Sequence, residues 1–313
     1  MSRPVRFRVV DSEDGILLHL MLARRLPDID VAGARALVRA GAVYLGHLRV
    51  RLPSVRVAAG ERVTVYPEAL DKQPLSAEQV RFVYRDPSFV VLDKPAGVPV
   101  AQTRDSARGT LAEALRRTLV DEGVLRPYVG IVHRLDQGAS GLVLFTVRSV
   151  ANKSMHRQFA EHRIERHYRV RVEGEPPERL RCEAPLIELK HGRVRVARDG
   201  EARARAASTE LIRLEPAEAE VEGRPAALVV ASLQTGRTHQ IRVHAQTLGF
   251  PVLGDRKYGE SDGESEEEDR PSRLFLHADR LAFMHPMTEE PIELRAPRPS
   301  WARASDDDEP LEG

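Results

Sequence analysis

The spacing of apolar residues along the 313-residue chain changes character once, between residues 66 and 81. Before that point short helical patterns dominate. Residues 14–26, DGILLHLMLARRL, predict a helix that closes on Arg24 and Arg25 and stops before Pro27. Asp30 predicts the N-cap of a second helix, VAGARALVRA, with Gly41 just past its end. On that helix Ala34, Leu37 and Val38 share one face, while Arg35 and Arg39, four apart, share another. AVYL, a turn at Gly46-His47 and the β-rich close ERVTVY ending at Tyr66 complete a compact module over residues 10–66. Residues 67–79, PEALDKQPLSAEQ, are polar with two prolines and read as a linker.

From residue 81 onward the strand period takes over. Phe89 to Leu92 predict a strand, Lys94-Pro95-Ala96-Gly97 a rigid turn, and TLAEALRRTL, 110–119, a helix. The apolar pair Ile131-Val132 and the run Leu142 to Phe145 bracket HRLDQGASGL, 133–142, giving strand, loop, strand. Residues 149–162 predict a helix with Met155 and Phe159 inward and Lys153, His156 and Arg157 outward. HYRVRVEG, 167–174, alternates strictly, which predicts a half-buried strand with Tyr168, Val170 and Val172 inside and its arginines outside. Residues 227–259 read as a strand, a Gly-Arg turn, a helix and a loop. The chain is thus mixed α/β (α+β), a small module followed by a larger domain over 80–299.

Composition changes this picture in one respect. The net charge of +1 conceals two acidic stretches: ESDGESEEED at 260–269 holds seven acids, and ASDDDEPLEG at 304–313 holds five. Without those twelve the remainder stands at +13, mostly arginine, whose planar fork suits phosphate oxygens. A basic body with polyanionic appendages predicts a nucleic-acid partner. The insertion at 260–272 and the tail at 300–313 are expected to be disordered or loose. One cysteine, Cys182, allows no internal disulfide and fits a cytoplasmic location. No apolar run nears the roughly 20 residues of a membrane helix, and MSRPVRFRVVDSEDG lacks the apolar core of a signal peptide.

Within this frame HRLDQGASGL concentrates the chemistry. Taken alone, Asp136 and Gly138 need only make a turn. Three further stretches alter that reading. HRLDQGASGL, the Tyr168 strand and QTGRTHQIRVHAQ (234–246), together with the Lys94–Gly97 turn and LHADRLAFMHP (276–286), resemble the RluA-type pseudouridine synthases from about residue 81 to about 297. The arginine-bearing second helix, G-A-V-Y-L-G and G-E-R-V-T-V at Gly60–Val65 resemble the S4 RNA-binding module, which places the chain near the large-ribosomal-subunit branch. A departure is Leu45-Gly46, where that module usually has asparagine-glycine.

The resemblance implies an antiparallel-sheet catalytic domain that isomerises uridine in RNA with no cofactor and no metal. Uracil is detached from ribose at nitrogen, turned and rejoined through carbon. Asp136 occupies the catalytic aspartate position; attack on the sugar, attack on the base and removal of a ribose proton all stay open for it. Arg242 occupies the position whose arginine pairs with that aspartate. Tyr168 matches the pocket tyrosine that stacks on uracil. Arg134 is expected to fill the space left by a flipped base. His133 braces the loop or contacts RNA, and Arg237 and His239 are expected to contact the RNA backbone. Gln137 and Ala139 depart from the family's usual arginine or lysine and threonine. The partner is expected to be ribosomal RNA, with transfer RNA the alternative, acted on by a monomer. A catalytically inert RNA-binding or ribosome-assembly protein is the rival reading.

Other chemistries fare worse on the residues. Gly138-Ala139-Ser140-Gly141 has the wrong spacing for a G-x-S-x-G nucleophile elbow. His239 and His244, five apart, fall on different helix faces and have no cysteine pair to complete a metal site. No G-x-x-x-x-G-K-[ST] phosphate loop occurs.

Overall fold

The computed structural model describes residues 4–67, 75–102, 109–189, 192–217, 220–221, 223–259 and 273–304. The acidic insertion at 260–272, most of the acidic tail and residues 68–74 of the linker lie outside the described residues. In chain order the elements are β1 (Val5–Arg8), α1 (Leu18–Arg25), α2 (Val31–Arg39), β2 (Val43–Leu45), β3 (Leu48–Val50), β4 (Arg62–Val65), β5 (Arg81–Arg85), β6 (Phe89–Lys94) and α3 (Leu111–Asp121). There follow β7 (Gly130–Ile131), β8 (Ser140–Thr146), α4 (Ser149–Ala160), β9 (Glu165–Glu173), β10 (Arg179–Cys182), β11 (Leu186–Glu188), β12 (Val194–Val196) and β13 (Thr209–Glu215). The last are β14 (Glu220–Val221), β15 (Arg224–Leu233), α5 (Gln240–Thr247), β16 (Leu276–Met284) and β17 (Pro291–Arg295). Among the described residues no helix is long and apolar enough to cross a membrane.

The first compact unit lies within residues 1–77 and 101–122. Its sheet runs β1-β4-β2-β3, with α1 and α2 packed beside each other. Asp30 caps α2 by accepting from the Gly33 amide at 2.6 Å, and Ala34, Leu37 and Val38 are buried beneath it. Arg35 and Arg39 are exposed. The first helix starts at Leu18, later than its apolar pattern suggests. The Leu18 amide is taken instead by the Val55 carbonyl, and Leu17 bridges Arg56. Gly46, at φ +59°, turns β2 into β3 in two residues. Residues 101–122, which follow the first strands of the larger domain in sequence, group with this unit. Arg51 reaches Gln102 at 2.7 Å, and Arg117 donates to the Leu75 carbonyl.

The second unit lies within 78–100 and 123–313 and is built on one large sheet in the order β10-β13-β15-β9-β16-β8-β6-β5. The β7, β14 and β17 strands attach to β8, β15 and β16, and the only parallel pair among these strands is β8 with β16. Leu142 to Phe145 on β8 and Phe89 to Leu92 on β6 are almost wholly buried, as continuous apolar runs in a central sheet should be. Gly141, the second residue of β8, has φ +102°. A Cβ there would lie 2.3 Å from the Ala278 carbonyl oxygen, so only glycine lets the loop enter the sheet here.

One prediction about this unit fails. The arginine face of β9 is covered, not solvated: Arg169 and Arg171 are both buried. Arg171 donates to the carbonyls of Trp301 at 2.9 Å and Ala226 at 3.2 Å and pairs with Glu215 at 3.0 Å. Arg169 lies 3.8 Å from Asp279. The side chains do alternate, but the segment around Trp301 folds back over the polar side, and ion pairs and carbonyls take the place of water.

Candidate active site

The strand pair β7 and β8 presents residues 132–139 as a tight loop, closed by an Ala139 amide to Asp136 carbonyl bond of 3.1 Å. From β9, the central strand beside β16, Tyr168 projects into the same place. From α5, Arg242 reaches Asp136: its Nη1 donates to Oδ2 at 2.9 Å. The other edge of that guanidinium is held by Asp255, from Nε to Oδ2 at 2.7 Å and from Nη2 to Oδ1 at 2.6 Å. Two carboxylates thus share one planar fork, and only one of them faces a cavity. Asp255 is fully buried at its side chain, whereas Asp136 lines a cleft of about 530 Å³ with Arg134, Phe159, Arg166, Tyr168 and His239.

The electrostatics follow from this geometry. Burial alone would lower Arg242, but its bonds to Asp255 and the charge of Asp136 outweigh that and hold it above the usual arginine value. Burial raises the Tyr168 phenol, with Asp136 adding to the rise against Arg166, so the hydroxyl keeps its proton at neutral pH. His239 is lowered by burial, against the pull of Asp136. It occupies the left-handed region at φ +53°, an uncommon conformation for a residue other than glycine, and caps the start of α5. Its Nδ1 shares a 2.7 Å hydrogen bond with the Tyr258 hydroxyl, which leaves Nε2 3.9 Å from Asp136 Oδ1.

The remaining sequence candidates fall in different places. Arg134 is exposed at the mouth of the cleft. His133 faces inward for structure: its Nε2 accepts the Leu144 amide at 2.9 Å, its ring stacks on Phe159, and burial with the nearby Arg166 charge lowers it to about 3. Arg237 donates from Nε to the Ala206 carbonyl at 3.0 Å while still lining the cleft. Arg35 and Arg39 belong to the first unit. Gln137 turns its amide to the Gly97 carbonyl at 2.9 Å, and Ala139 is buried, so both departures serve the loop itself. His244 bonds Thr209 and the Ala184 carbonyl. Among the described residues no three His, Cys, Asp or Glu side chains are grouped to hold a metal.

Several participants escaped the sequence. Asp255 and Tyr258 sit in GDRKYG, a polar stretch that reads only as loop. Gln240 accepts from Thr235 at 2.8 Å and the Arg237 amide at 3.0 Å and donates to Ser208 and Thr209, which pins the loop in front of α5. Lys94 read as part of a turn. It is wholly buried, and its Nζ donates to the carbonyls of Pro95, Val98 and Gln137 at 3.0, 2.7 and 3.1 Å, tying that turn to the Asp136 loop.

Burial pulls Lys94 down to about 7, against Asp136 and Asp93. Its folded value lies below the unfolded one, so between about pH 7 and 10.5 the unfolded chain binds more protons. Stability should therefore rise with pH through that window, by about 2 kcal/mol between pH 7 and 9. Urea midpoints at the two pH values test this; the Lys94→Met protein should lose the difference and be less stable by about 3 kcal/mol, with three carbonyls left unpaired.

The cleft is thus basic, surrounds one Asp–Arg pair, and lies on a sheet that is antiparallel but for one strand pair among the described residues. A family model described as RNA pseudouridylate synthase matches residues 88–247. Ribosomal large subunit pseudouridine synthase C of Escherichia coli (strain K12) is 35% identical over 263 residues, covering 79% of this chain and 75% of that protein. An uncharacterized RNA pseudouridine synthase of Aquifex aeolicus is 35% identical over 269 residues, 83% of this chain and 81% of that one. Among solved structures, human RNA pseudouridylate synthase domain containing 1 superposes with a TM-score of 0.59 at 29% identity, over 73% of this chain and 87% of that one. The chain belongs to the RNA pseudouridylate synthase family, within its RluA-type branch, and is a pseudouridine synthase acting on RNA.

Proposed function

We propose that this enzyme isomerises uridines of large-subunit ribosomal RNA and that Asp136 is its catalytic carboxylate. The observation that carries the reading is the lone Asp136 carboxylate lining the cleft, fixed through Oδ2 to Arg242 at 2.9 Å with Oδ1 3.9 Å from His239 Nε2. The N1–C1′ bond of the target breaks and a C1′–C5 bond forms. The proton displaced from C5 leaves to solvent, and N1 acquires one, so the reaction balances as an isomerisation. Arg242, itself held by Asp255, fixes the orientation of the Asp136 carboxylate and places a positive charge beside it. Tyr168, protonated, offers a flat face for the uracil and a hydroxyl near the reacting carbon. Arg134, exposed at the rim, is placed to occupy the gap left in the RNA when the base swings out, at a cost of roughly a few kcal/mol.

The names of the relatives favour ribosomal over transfer RNA, and the retained Asp136–Arg242 pair argues against an inert binding protein. Mapping pseudouridines in total RNA from cells with and without the gene tests the assignment. One or a few large-subunit positions should revert to uridine. Loss of transfer-RNA sites alone would move the substrate, and an unchanged map would defeat the reading.

The first unit is proposed to be an S4-like RNA-binding module whose exposed Arg35 and Arg39 contact phosphate. Changing both to alanine should weaken RNA binding and flatten its salt dependence, by close to one unit of slope per lost contact. Filter binding across a salt series checks this; an unchanged slope would make the two arginines a solvated face.

A further inference from the structure

The cleft contains a cation that the reaction, as derived above, does not use. Arg166 is two residues before Tyr168 on β9, so both side chains leave the same face of the strand. It is only 9% exposed, and its Nε is buried with no hydrogen-bond partner. None of its nitrogens meets a carboxylate or carbonyl among the described residues. The guanidinium lies 5.6 Å from the Phe159 ring centroid and lines the cleft beside Tyr168. The single acid lining that cleft, Asp136, is already bonded to Arg242.

Gly236, across the cleft, makes room for it. A Cβ at that position would stand 2.3 Å from Arg166 Nη1. The backbone here is not in the left-handed region, so the glycine is required by space and not by conformation. An arginine cannot relieve its burial by losing a proton, and a buried guanidinium without a counter-charge is costly. The free enzyme therefore holds a site for a permanent anion, and a phosphodiester is the permanent anion of an RNA strand.

We propose that Arg166 seats a phosphate flanking the target uridine. The inference rests on the RNA-modifying role of this cleft. Tyr168 and Arg166 stand roughly 6–7 Å apart along the strand, which places the phosphate seat about one ribose away from the stacked base. Such a grip holds the ribose while uracil is detached and turned, so the sugar cannot follow the base.

The test pairs protein variants with RNA in which one charge is removed. The probe is a hairpin carrying the mapped uridine, made with all phosphates or with a neutral methylphosphonate on the 5′ or the 3′ side of that uridine. For the wild type, one of the two replacements should weaken binding by roughly 10–100-fold, the range of a charge-assisted hydrogen bond. Arg166→Gln should lose a similar factor on the all-phosphate hairpin and nothing further on that modified one. Gly236→Ala, which displaces the guanidinium while keeping it, should reproduce the loss, and Arg166→Lys should recover part of it. These two carry the test if Arg166→Gln does not fold. Losses that multiply at both methylphosphonate positions would overturn the proposal. So would unchanged affinity with a lowered kcat, which would assign Arg166 to the departing uracil. Failure of the underlying reading shows separately, as no pseudouridine formed by the wild type in the all-phosphate hairpin.

Discussion

The Asp136→Asn enzyme should bind its RNA within a few-fold of the wild type and release no tritium from RNA labelled at uracil C5. The substitution is nearly isosteric, so the amide oxygen can still accept from Arg242 Nη1, and Asp255 continues to hold the other edge of the guanidinium. What disappears is a charge that must act at the glycosidic carbon, at the base or on a ribose proton. All three chemistries need the ionised carboxylate. The loss should be at least about 10⁴-fold in turnover, the scale on which removal of a catalytic group registers when the rest of a site is intact. A discontinuous tritium-release assay checks it, with circular dichroism to show that the variant is folded. Residual turnover within a hundredfold of wild type would remove Asp136 from the reaction. The same assay separates the enzyme from an inert RNA-binding protein, for which neither form would release label.

The second large effect belongs to a residue that never meets substrate. Asp255 has a side chain 0% exposed and grips Arg242 with two bonds of 2.6 and 2.7 Å, while its Oδ1 also accepts the Lys257 amide at 2.9 Å. Replacing it with asparagine puts an NH₂ against a guanidinium N–H and leaves Arg242 a buried cation with one carboxylate in place of two. Breaking such a pair costs about 3–5 kcal/mol, so a marked fall in thermal midpoint is expected. Arg242 should also swing away from the geometry that orients Asp136. A misplacement of about 1 Å typically costs on the order of 10²-fold in rate. The expected signature is a kcat reduced by that factor with RNA affinity little changed, and single-turnover kinetics at saturating enzyme reads it directly. An Asp255→Asn protein with full kcat would show that Asp136 alone positions the arginine. The same variant with lost affinity and normal kcat would place Asp255 in binding.

These two residues also mark the boundary of what is readable from the chain. Asp136 stands in a motif of several unusual residue types between two apolar runs, and Arg242 lies on a helix announced by its own pattern. Their partnership spans 106 positions, yet a family resemblance is enough to anticipate it, and the structure brings the two to 2.9 Å. Asp255 has no such signature. It lies in a polar loop, and an aspartate there is most often a turn residue. The segment that carries it is tied to β16 by the Phe275 amide on the Leu253 carbonyl at 3.1 Å, with both side chains in one buried cluster, and that depends on contacts distant in sequence.

Lys94 and Arg171 teach the same lesson about charge. Lysine before Pro-Ala-Gly reads as part of a turn, and the arginines of the alternating strand read as its outer face. Both are buried, Lys94 by three carbonyls converging from two loops and Arg171 by the carbonyls of Trp301 and Ala226 and the carboxylate of Glu215. Burial of a polar face is decided by what folds over it, and the covering segments lie far away in sequence.

Alternation and capping are local, each set by steric and hydrogen-bonding preferences within a few residues. From the sequence alone, therefore, come the elements, the two-part organisation, the basic body and the Asp136 loop. The pairing of β8 with β16 in parallel, the grouping of residues 101–122 with the first unit and the double carboxylate clamp on Arg242 are long-range facts. Only tertiary packing decides them, because the free energy of a buried charge depends on partners the local chain cannot specify.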